Sequence, residues 1–171
     1  MSDRVFTIST GRSGTAWLAE FFRQNVKAEY NADVYHEGGL YLEFGTFRPD
    51  IQHMHEYNFK GNTNRVRNFW KNKFKSDKYN NDNPAVETSH VNAKAGLIEN
   101  LDLLESHDVT IIHLKRDPLK TALSFQKRFD FTNVGNMWMW YLDPSYSRNV
   151  IEFEQFKSLK YHGRLLWYIC E

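Results

Sequence analysis

The feature that most constrains this chain is an apolar run near the N-terminus, followed by a turn with two glycines and then by a helical pattern. Residues 5–8 are Val-Phe-Thr-Ile, a run of the length and composition of a buried strand. Gly11 and Gly14 allow the backbone to turn sharply so that its N–H groups converge. Apolar residues then recur at helical spacing, at Trp17, Leu18, Phe21, Phe22 and Val26. The sequence therefore predicts a strand, a tight turn and an amphipathic helix.

This turn carries the groups that bind an anion. A helix N-terminus offers free N–H groups and a positive dipole end, and Arg12, Ser13 and Thr15 add a guanidinium and two hydroxyls. The nucleotide triphosphatase motif G-x-x-x-x-G-K-[ST] is not present, because no Lys follows Gly14 and the basic residue lies inside the turn. The alternative is a glycine turn that holds no ligand.

A second junction of strand and helix lies about a hundred residues later. Residues 109–114 form an apolar run typical of a central parallel strand. Asp117 is placed to cap a helix, and Pro118 suits the first turn of that helix. Along the helix, one side is predicted to hold Leu119, Ala122, Leu123 and Gln126, and another Lys120, Ser124, Lys127 and Arg128.

Length and composition fit one globular domain over residues 1–171. The chain is 41% hydrophobic and 25% charged, as in soluble proteins, and a net charge of +1 argues against a broad nucleic-acid surface. No apolar run is long enough to cross a bilayer, and the N-terminus does not read as a signal segment, so a cytoplasmic location is expected. The single cysteine, Cys170, cannot form an internal disulfide and suits a reducing compartment.

Together the two junctions resemble the sulfotransferases that use 3′-phosphoadenosine 5′-phosphosulfate (PAPS). In their 5′-phosphosulfate loop a basic residue precedes Ser-Gly-Thr and a Trp-Leu pair opens the helix; Arg12 stands where many members have Lys, and Ala16 replaces a common second Thr. In the same family an Arg and a Ser eight residues later hold the 3′-phosphate, the spacing of Arg116 and Ser124. The resemblance thus implies these cofactor-binding residues: Arg12, Ser13, Gly14, Thr15, Ala16, Trp17, Arg116 and Ser124.

The resemblance also implies candidates for the base that takes the acceptor proton. Residues 88–90, Thr-Ser-His, are similar to a Lys-Thr/Ser-His element whose His is the general base, and imidazole has a suitable pKa near neutrality. The alternative for His90 is a cap on the following helix, predicted over residues 92–104. Glu37 is the rival base, with His36 beside it, and its alternative is a solvated loop carboxylate. Gly38 stands where the family often has Pro.

The segment 40–83 is an aromatic-rich insertion in which an acceptor substrate could be held. His53 and His55 lie two residues apart, but only Glu56 is near enough in sequence to complete a metal site, so no metal is expected. A helix is predicted over residues 63–75.

Alternating strands and helices predict a three-layer α/β fold with a mainly parallel central sheet flanked by helices. The resemblance implies that this fold is of the P-loop NTPase type. Residues 132–141 are predicted as a helix or lid, residues 150–156 as strand or extended loop, and residues 159–171 as a helix. The G-x-x-G-x-x-K lid of many family members is missing from the sequence.

The implied function is transfer of the sulfuryl group from PAPS to a hydroxyl or amine of a small-molecule or carbohydrate acceptor, releasing adenosine 3′,5′-bisphosphate. Arg12, His90 and Glu37 are the implied catalytic residues. Two alternatives remain: a non-catalytic or truncated protein that binds a phosphorylated nucleotide, and a P-loop kinase of small metabolites.

Overall fold

A four-stranded parallel sheet forms the centre of the molecule. The computed structural model describes residues 3–36, 49, 51–76, 79–129, 142–146 and 148–171. The strands are β1 (Asp3–Ile8), β2 (Asp33–Tyr35), β3 (Ala85–Glu87) and β4 (Asp108–His113), in the spatial order β2-β3-β1-β4. In the register of the sheet, Val5 of β1 lies beside Val86 on one side and Thr110 on the other.

Helices fill the connections between these strands. The first helix passes into a π-helical turn, Arg23–Lys27, and short 3₁₀ segments occur at Asn92–Ala95, Ile98–Leu104 and Glu154–Leu159. The α-helices of the described residues are α1 (Thr15–Phe22), α2 (Ala28–Tyr30), α3 (Ile51–Lys60), α4 (Asn64–Lys75), α5 (Pro118–Gln126) and α6 (Lys160–Cys170). No helix among these residues has the length and apolar character needed to span a membrane.

The direction of the crossovers assigns these helices to two layers. Across the strands of the sheet, the connection from β1 to β2 runs in one direction, and the connections from β2 to β3 and from β3 to β4 run in the opposite direction. Because parallel crossovers are right-handed, α1 covers one face, and α3, α4 and the 3₁₀ segments of residues 92–104 cover the other. The prediction of an α/β fold with a parallel sheet flanked by helices is confirmed.

Two apolar clusters hold the layers together. In the first, Phe6 of β1 packs on Phe74 of α4, with ring centroids 6.0 Å apart, and Trp70 is fully buried beside them. In the second, Phe125 of α5 packs on Tyr168 of α6, with ring centroids 6.0 Å apart. The second cluster fixes α6 against α5 and so brings the C-terminal helix to the end of the sheet where α5 begins.

A buried ion pair marks the end of β3. Lys73 Nζ donates to Glu87 Oε1 at 2.8 Å, and both side chains are 1% exposed. The Tyr79 hydroxyl and the Asn92 amide also donate to the Glu87 carboxylate. These contacts fix the strand end from which the chain continues into Thr88, Ser89 and His90.

The predictions for residues 92–104 and for the buried face of α5 need correction. The helix predicted over residues 92–104 is two 3₁₀ segments, because Gly96 adopts a φ of 91° between them. On α5 the buried residues are Thr121, Ala122 and Phe125, whereas Leu119 and Leu123 are exposed.

On α1, Thr15 and Ala19 are buried, while Trp17 and Phe21 stack on each other at the surface with centroids 5.7 Å apart. The apolar stripe of that helix is therefore only partly turned inward. Near the C-terminus, the second half of residues 150–156 begins a 3₁₀ segment and no strand forms there. The helix or lid predicted over residues 132–141 lies outside the described residues.

Candidate active site

The candidate site lies at the carboxyl end of the sheet. The glycine turn follows β1, residues 88–90 follow β3, and Arg116 follows β4. Because the strands are parallel, these three segments emerge at one edge, where open α/β sheets place their ligands. The fold thus brings together residues separated by more than a hundred positions in the sequence.

The turn after β1 is held by its own side chains. Ser13 Oγ donates to the carbonyl of Gly11 at 3.0 Å and lies 3.1 Å from Thr10 Oγ1. Ser9 Oγ accepts from the N–H of Gly11 at 3.2 Å. Arg12 has a φ of 54°, and Gly11 and Gly14 have φ of 86° and 102°. This succession of left-handed residues reverses the chain in the tight turn that the two glycines predicted.

The first turn of α1 points its N–H groups at this edge. Gly14 is the N-cap and supplies no side-chain cap, and the first helical bond runs from Leu18 N to Gly14 O at 2.9 Å. Uncapped N–H groups at a helix N-terminus form an anion site. Of the remaining loop residues predicted to bind the cofactor, Thr15 is buried, and Ala16 and Trp17 are exposed.

Two anion elements contact each other directly. The first is the glycine turn with Arg12, and the second is Arg116 with Ser124. Arg116 Nη1 donates to the carbonyl oxygen of Arg12 at 2.9 Å. Arg12 Nε donates to Ser124 Oγ at 3.0 Å. Asp117 caps α5 as predicted, because its carboxylate accepts from Lys120 N at 2.7 Å. Both guanidinium groups are exposed, so two cations and two helix N-termini share one surface.

His90 packs under the glycine turn. A Cβ on residue 11 would lie 3.1 Å from His90 Nδ1 and 3.2 Å from its Cγ, a tight contact, and the φ of 86° also favours glycine at this position. His36, at the end of β2, places its Nδ1 2.8 Å from the hydroxyl of Thr88. The predicted base therefore lies against the loop predicted to hold the sulfuryl group.

Burial and nearby positive charge keep His90 neutral. Desolvation lowers its pKa well below the ordinary value of 6.5, and the charge of Lys94 lowers it further, followed by those of His36, Arg128 and Arg12. A neutral imidazole has one nitrogen with a lone pair that can accept a proton.

Comparison with protein families decides the broader identity of the chain. A family model described as a sulfotransferase domain matches residues 2–168. The chain belongs to the sulfotransferase family. Comparisons with curated proteins and with solved structures gave no significant match. The family assignment supports sulfuryl transfer in general, and it agrees with the P-loop-like α/β fold.

One buried group beside the site was not predicted from the sequence. Lys94 lies one turn beyond His90, and its Nζ is 3.1 Å from His90 Nδ1. Nζ also donates to the Tyr168 hydroxyl at 2.5 Å, and Tyr168 donates to the carbonyl of Thr10. The spacing of four residues between His90 and Lys94 was the available signal, whereas nothing local indicated Tyr168, which is 74 residues further on.

The predictions for Glu37 and His53 have different outcomes. Glu37 lies outside the described residues. His53 is 3% exposed, its Nε2 lies 2.9 Å from the carbonyl of Ala95, and its ring packs 4.3 Å from that of Phe69. Within the described ranges no three His, Cys, Asp or Glu side chains are grouped as metal ligands would be. His53 is therefore a core residue.

Proposed function

We propose that residues 1–171 form a single domain that transfers the sulfuryl group of PAPS to a hydroxyl or amine of a small-molecule or carbohydrate acceptor. The observation that carries the proposal is the direct link between the two anion elements. Arg116 bonds to the backbone of Arg12, and the side chain of Arg12 bonds to Ser124. One ligand with two phosphate groups therefore has cationic partners at both ends within a continuous surface.

The cationic and hydrogen-bonding groups of the two anion elements fit the two anionic ends of PAPS. We assign the turn, with Arg12, Ser13 and the N–H groups that start α1, to the 5′-phosphosulfate. Arg116 and Ser124 are assigned to the 3′-phosphate. Guanidinium groups and helix N-termini are strong partners for phosphate oxygens because their hydrogen bonds are charge-assisted. An exposed indole, Trp17 at 70% exposure, lies beside the turn and offers a face for stacking on a planar ring.

PAPS supplies the sulfuryl group: a bond forms from the acceptor oxygen or nitrogen to sulfur as the sulfur–oxygen bond to the 5′-phosphate breaks, with its electron pair left on adenosine 3′,5′-bisphosphate. Negative charge grows on the transferred group and on the leaving phosphate. Arg12 and the turn N–H groups stabilise that charge from fixed positions. By analogy with phosphoryl transfer, positioning and charge stabilisation supply most of the rate increase, and no metal is required.

In this proposal His90 takes the proton of the acceptor. Its neutral ring and its position against Gly11 support the role. Glu37 is the second candidate, proposed from the sequence alone. The acceptor proton must leave as the new bond to sulfur develops, so a base within reach of the turn is needed.

The test of this proposal is product formation from PAPS. The protein is incubated with PAPS and separate pools of phenols, sugars and amines, and sulfated products are identified by mass spectrometry. We expect a sulfated product and a stoichiometric amount of adenosine 3′,5′-bisphosphate. As a control, ATP with magnesium is expected to give no phosphorylated acceptor.

Two results would contradict the proposal. Tight binding of the bisphosphate with no product from any pool would favour a non-catalytic nucleotide-binding protein. Phosphorylated products from ATP would favour a kinase, although no Lys follows Gly14.

A further inference from the structure

We propose that Lys94 determines which ring nitrogen of His90 carries the proton and thereby switches the candidate base on and off. Lys94 is a positioning residue in this scheme because it acts through His90. The inference rests on the proposed role of His90 in sulfuryl transfer, but the experiment below reads the imidazole itself and does not need turnover.

The contacts of Lys94 connect three parts of the fold. The residue belongs to the 3₁₀ segment that follows β3, and its side chain is 6% exposed. Its Nζ lies 2.5 Å from the hydroxyl of Tyr168 on α6, 3.1 Å from His90 Nδ1, and 3.4 Å from the carbonyl oxygen of Thr10 in the glycine turn. Nζ also lies 5.1 Å from the ring centroid of Tyr168. The amino group is therefore held between the candidate base and the loop.

The protonation state of Lys94 decides the direction of its hydrogen bond with His90. An ammonium group has three donors and no acceptor, so it donates to Nδ1, and the proton of the neutral ring must then lie on Nε2. A neutral amine has two donors and one lone pair. It can donate to Tyr168 and Thr10 and accept from Nδ1–H of His90, which leaves the lone pair of the ring on Nε2.

Only the second arrangement makes Nε2 a base. Nδ1 contacts Lys94 and lies close to Gly11, so the proposal assigns to Nε2 the role of receiving the acceptor proton. The change is balanced: Lys94 releases one proton to solvent, and the ring proton of His90 passes from Nε2 to Nδ1. Removal of the ammonium charge beside the ring also makes the imidazole a stronger base.

The surroundings favour a titration near neutral pH. Burial lowers the pKa of Lys94 from 10.5 to about 7. The titratable groups in contact with its Nζ include His90 and, from α6, the hydroxyl of Tyr168.

The charged groups that act on the ring of His90 belong to four elements. They are Lys94, His36 at the end of β2, Arg128 after α5, and Arg12 in the turn. Because together with burial they hold the pKa of His90 well below 6.5, the ring stays neutral while Lys94 titrates. The expected change near neutral pH is therefore a change of tautomer at constant ring charge.

The experiment is nitrogen-15 NMR of the full chain labelled at histidine, recorded from about pH 6 to about pH 8.5, a range that brackets the lowered pKa of Lys94. The resonances of His90 are assigned with His90→Gln. In the wild type we expect a proton on Nε2 at the acidic end, a proton on Nδ1 at the basic end, and a midpoint near neutrality. A single tautomer over the whole range would overturn the proposal without any variant.

Two substitutions of Lys94 sharpen the test. Lys94→Met keeps most of the apolar stem and removes the amine, so we expect the tautomer to become independent of pH. Lys94→Arg keeps a permanent cation, so we expect the Nε2–H form throughout. Retention of the wild-type tautomer change in Lys94→Met would also overturn the proposal.

The pH dependence of turnover separates this inference from the proposed function. If sulfuryl transfer occurs, kcat is expected to rise with pH as Lys94 loses its proton, and that rise should be absent in Lys94→Met. If no product forms with any acceptor, the proposed function fails, and the NMR titration still decides whether Lys94 sets the tautomer of His90.

Discussion

Replacement of Arg12 by alanine is expected to lower kcat by roughly 100-fold or more, the scale of losing one preorganised group that stabilises transition-state charge. Arg12 lies in the turn after β1 with a left-handed φ of 54°, and its guanidinium is exposed and bonded to Ser124. Because negative charge grows on the transferred group during the reaction, the loss should fall on kcat more than on the affinity for PAPS. Steady-state kinetics with the acceptor found by product analysis measure both quantities.

Two matched variants show whether the effect belongs to the position of the charge. Arg12→Lys keeps a cation in the turn and should retain much more activity than Arg12→Ala. Arg23→Ala removes a half-buried arginine that pairs with Glu20, one turn earlier on the helical segment that follows the glycine turn, and its kcat should equal that of the wild type. Turnover of Arg12→Ala within a few-fold of wild type would remove Arg12 from the catalytic role.

Replacement of Glu87 by glutamine is expected to lower the free energy of unfolding by about 3–5 kcal/mol, the usual cost of removing one partner of a buried ion pair. Glutamine has nearly the same shape, but it leaves the ammonium of Lys73 buried without its counter-charge. Lys73 and Glu87 are each 1% exposed, so water cannot replace the missing carboxylate. Urea unfolding at neutral pH, followed by circular dichroism, measures the change.

A double variant and a surface variant provide the controls. Lys73→Met combined with Glu87→Gln removes both charges, so its loss should be smaller than that of Glu87→Gln alone. Asp102→Asn breaks an exposed pair with Arg67, and the free energy of unfolding should change little. A loss below about 1 kcal/mol for Glu87→Gln would mean that the pair does not fix the end of β3.

The strands β1 and β4 could be predicted from the sequence because each is encoded locally. Residues 5–8 and 109–114 are apolar runs followed by turn or cap residues, and the observed strands Asp3–Ile8 and Asp108–His113 differ from them by at most two residues at either end. The cap of Asp117 on α5 was equally local.

The buried faces of helices were harder to predict because they depend on what packs against them. Leu119 and Leu123 have the spacing of a core stripe, yet α6 covers Ala122 and Phe125 instead. Similarly, the apolar spacing of residues 92–104 fits an α-helix, but Gly96 divides the segment into two 3₁₀ pieces.

Several residues of the candidate site could be predicted from the sequence, but the hydrogen bonds between them could not. Arg12, Arg116 and Ser124 stand out by motif and spacing, whereas the bonds between them depend on the parallel order of β1 and β4. Lys94 and Tyr168 carry no motif, and they meet only because α6 returns to the end of the sheet.

Calorimetry with adenosine 3′,5′-bisphosphate and adenosine 5′-monophosphate tests most directly whether the two anion elements hold one nucleotide. Arg116→Ala should weaken binding of the bisphosphate by about 10- to 100-fold, the worth of one charge-assisted hydrogen bond, and leave the monophosphate unchanged. Lys115→Ala, which removes the adjacent exposed cation, should change neither. Equal affinity of wild type and Arg116→Ala for the bisphosphate would contradict binding of one nucleotide by both elements.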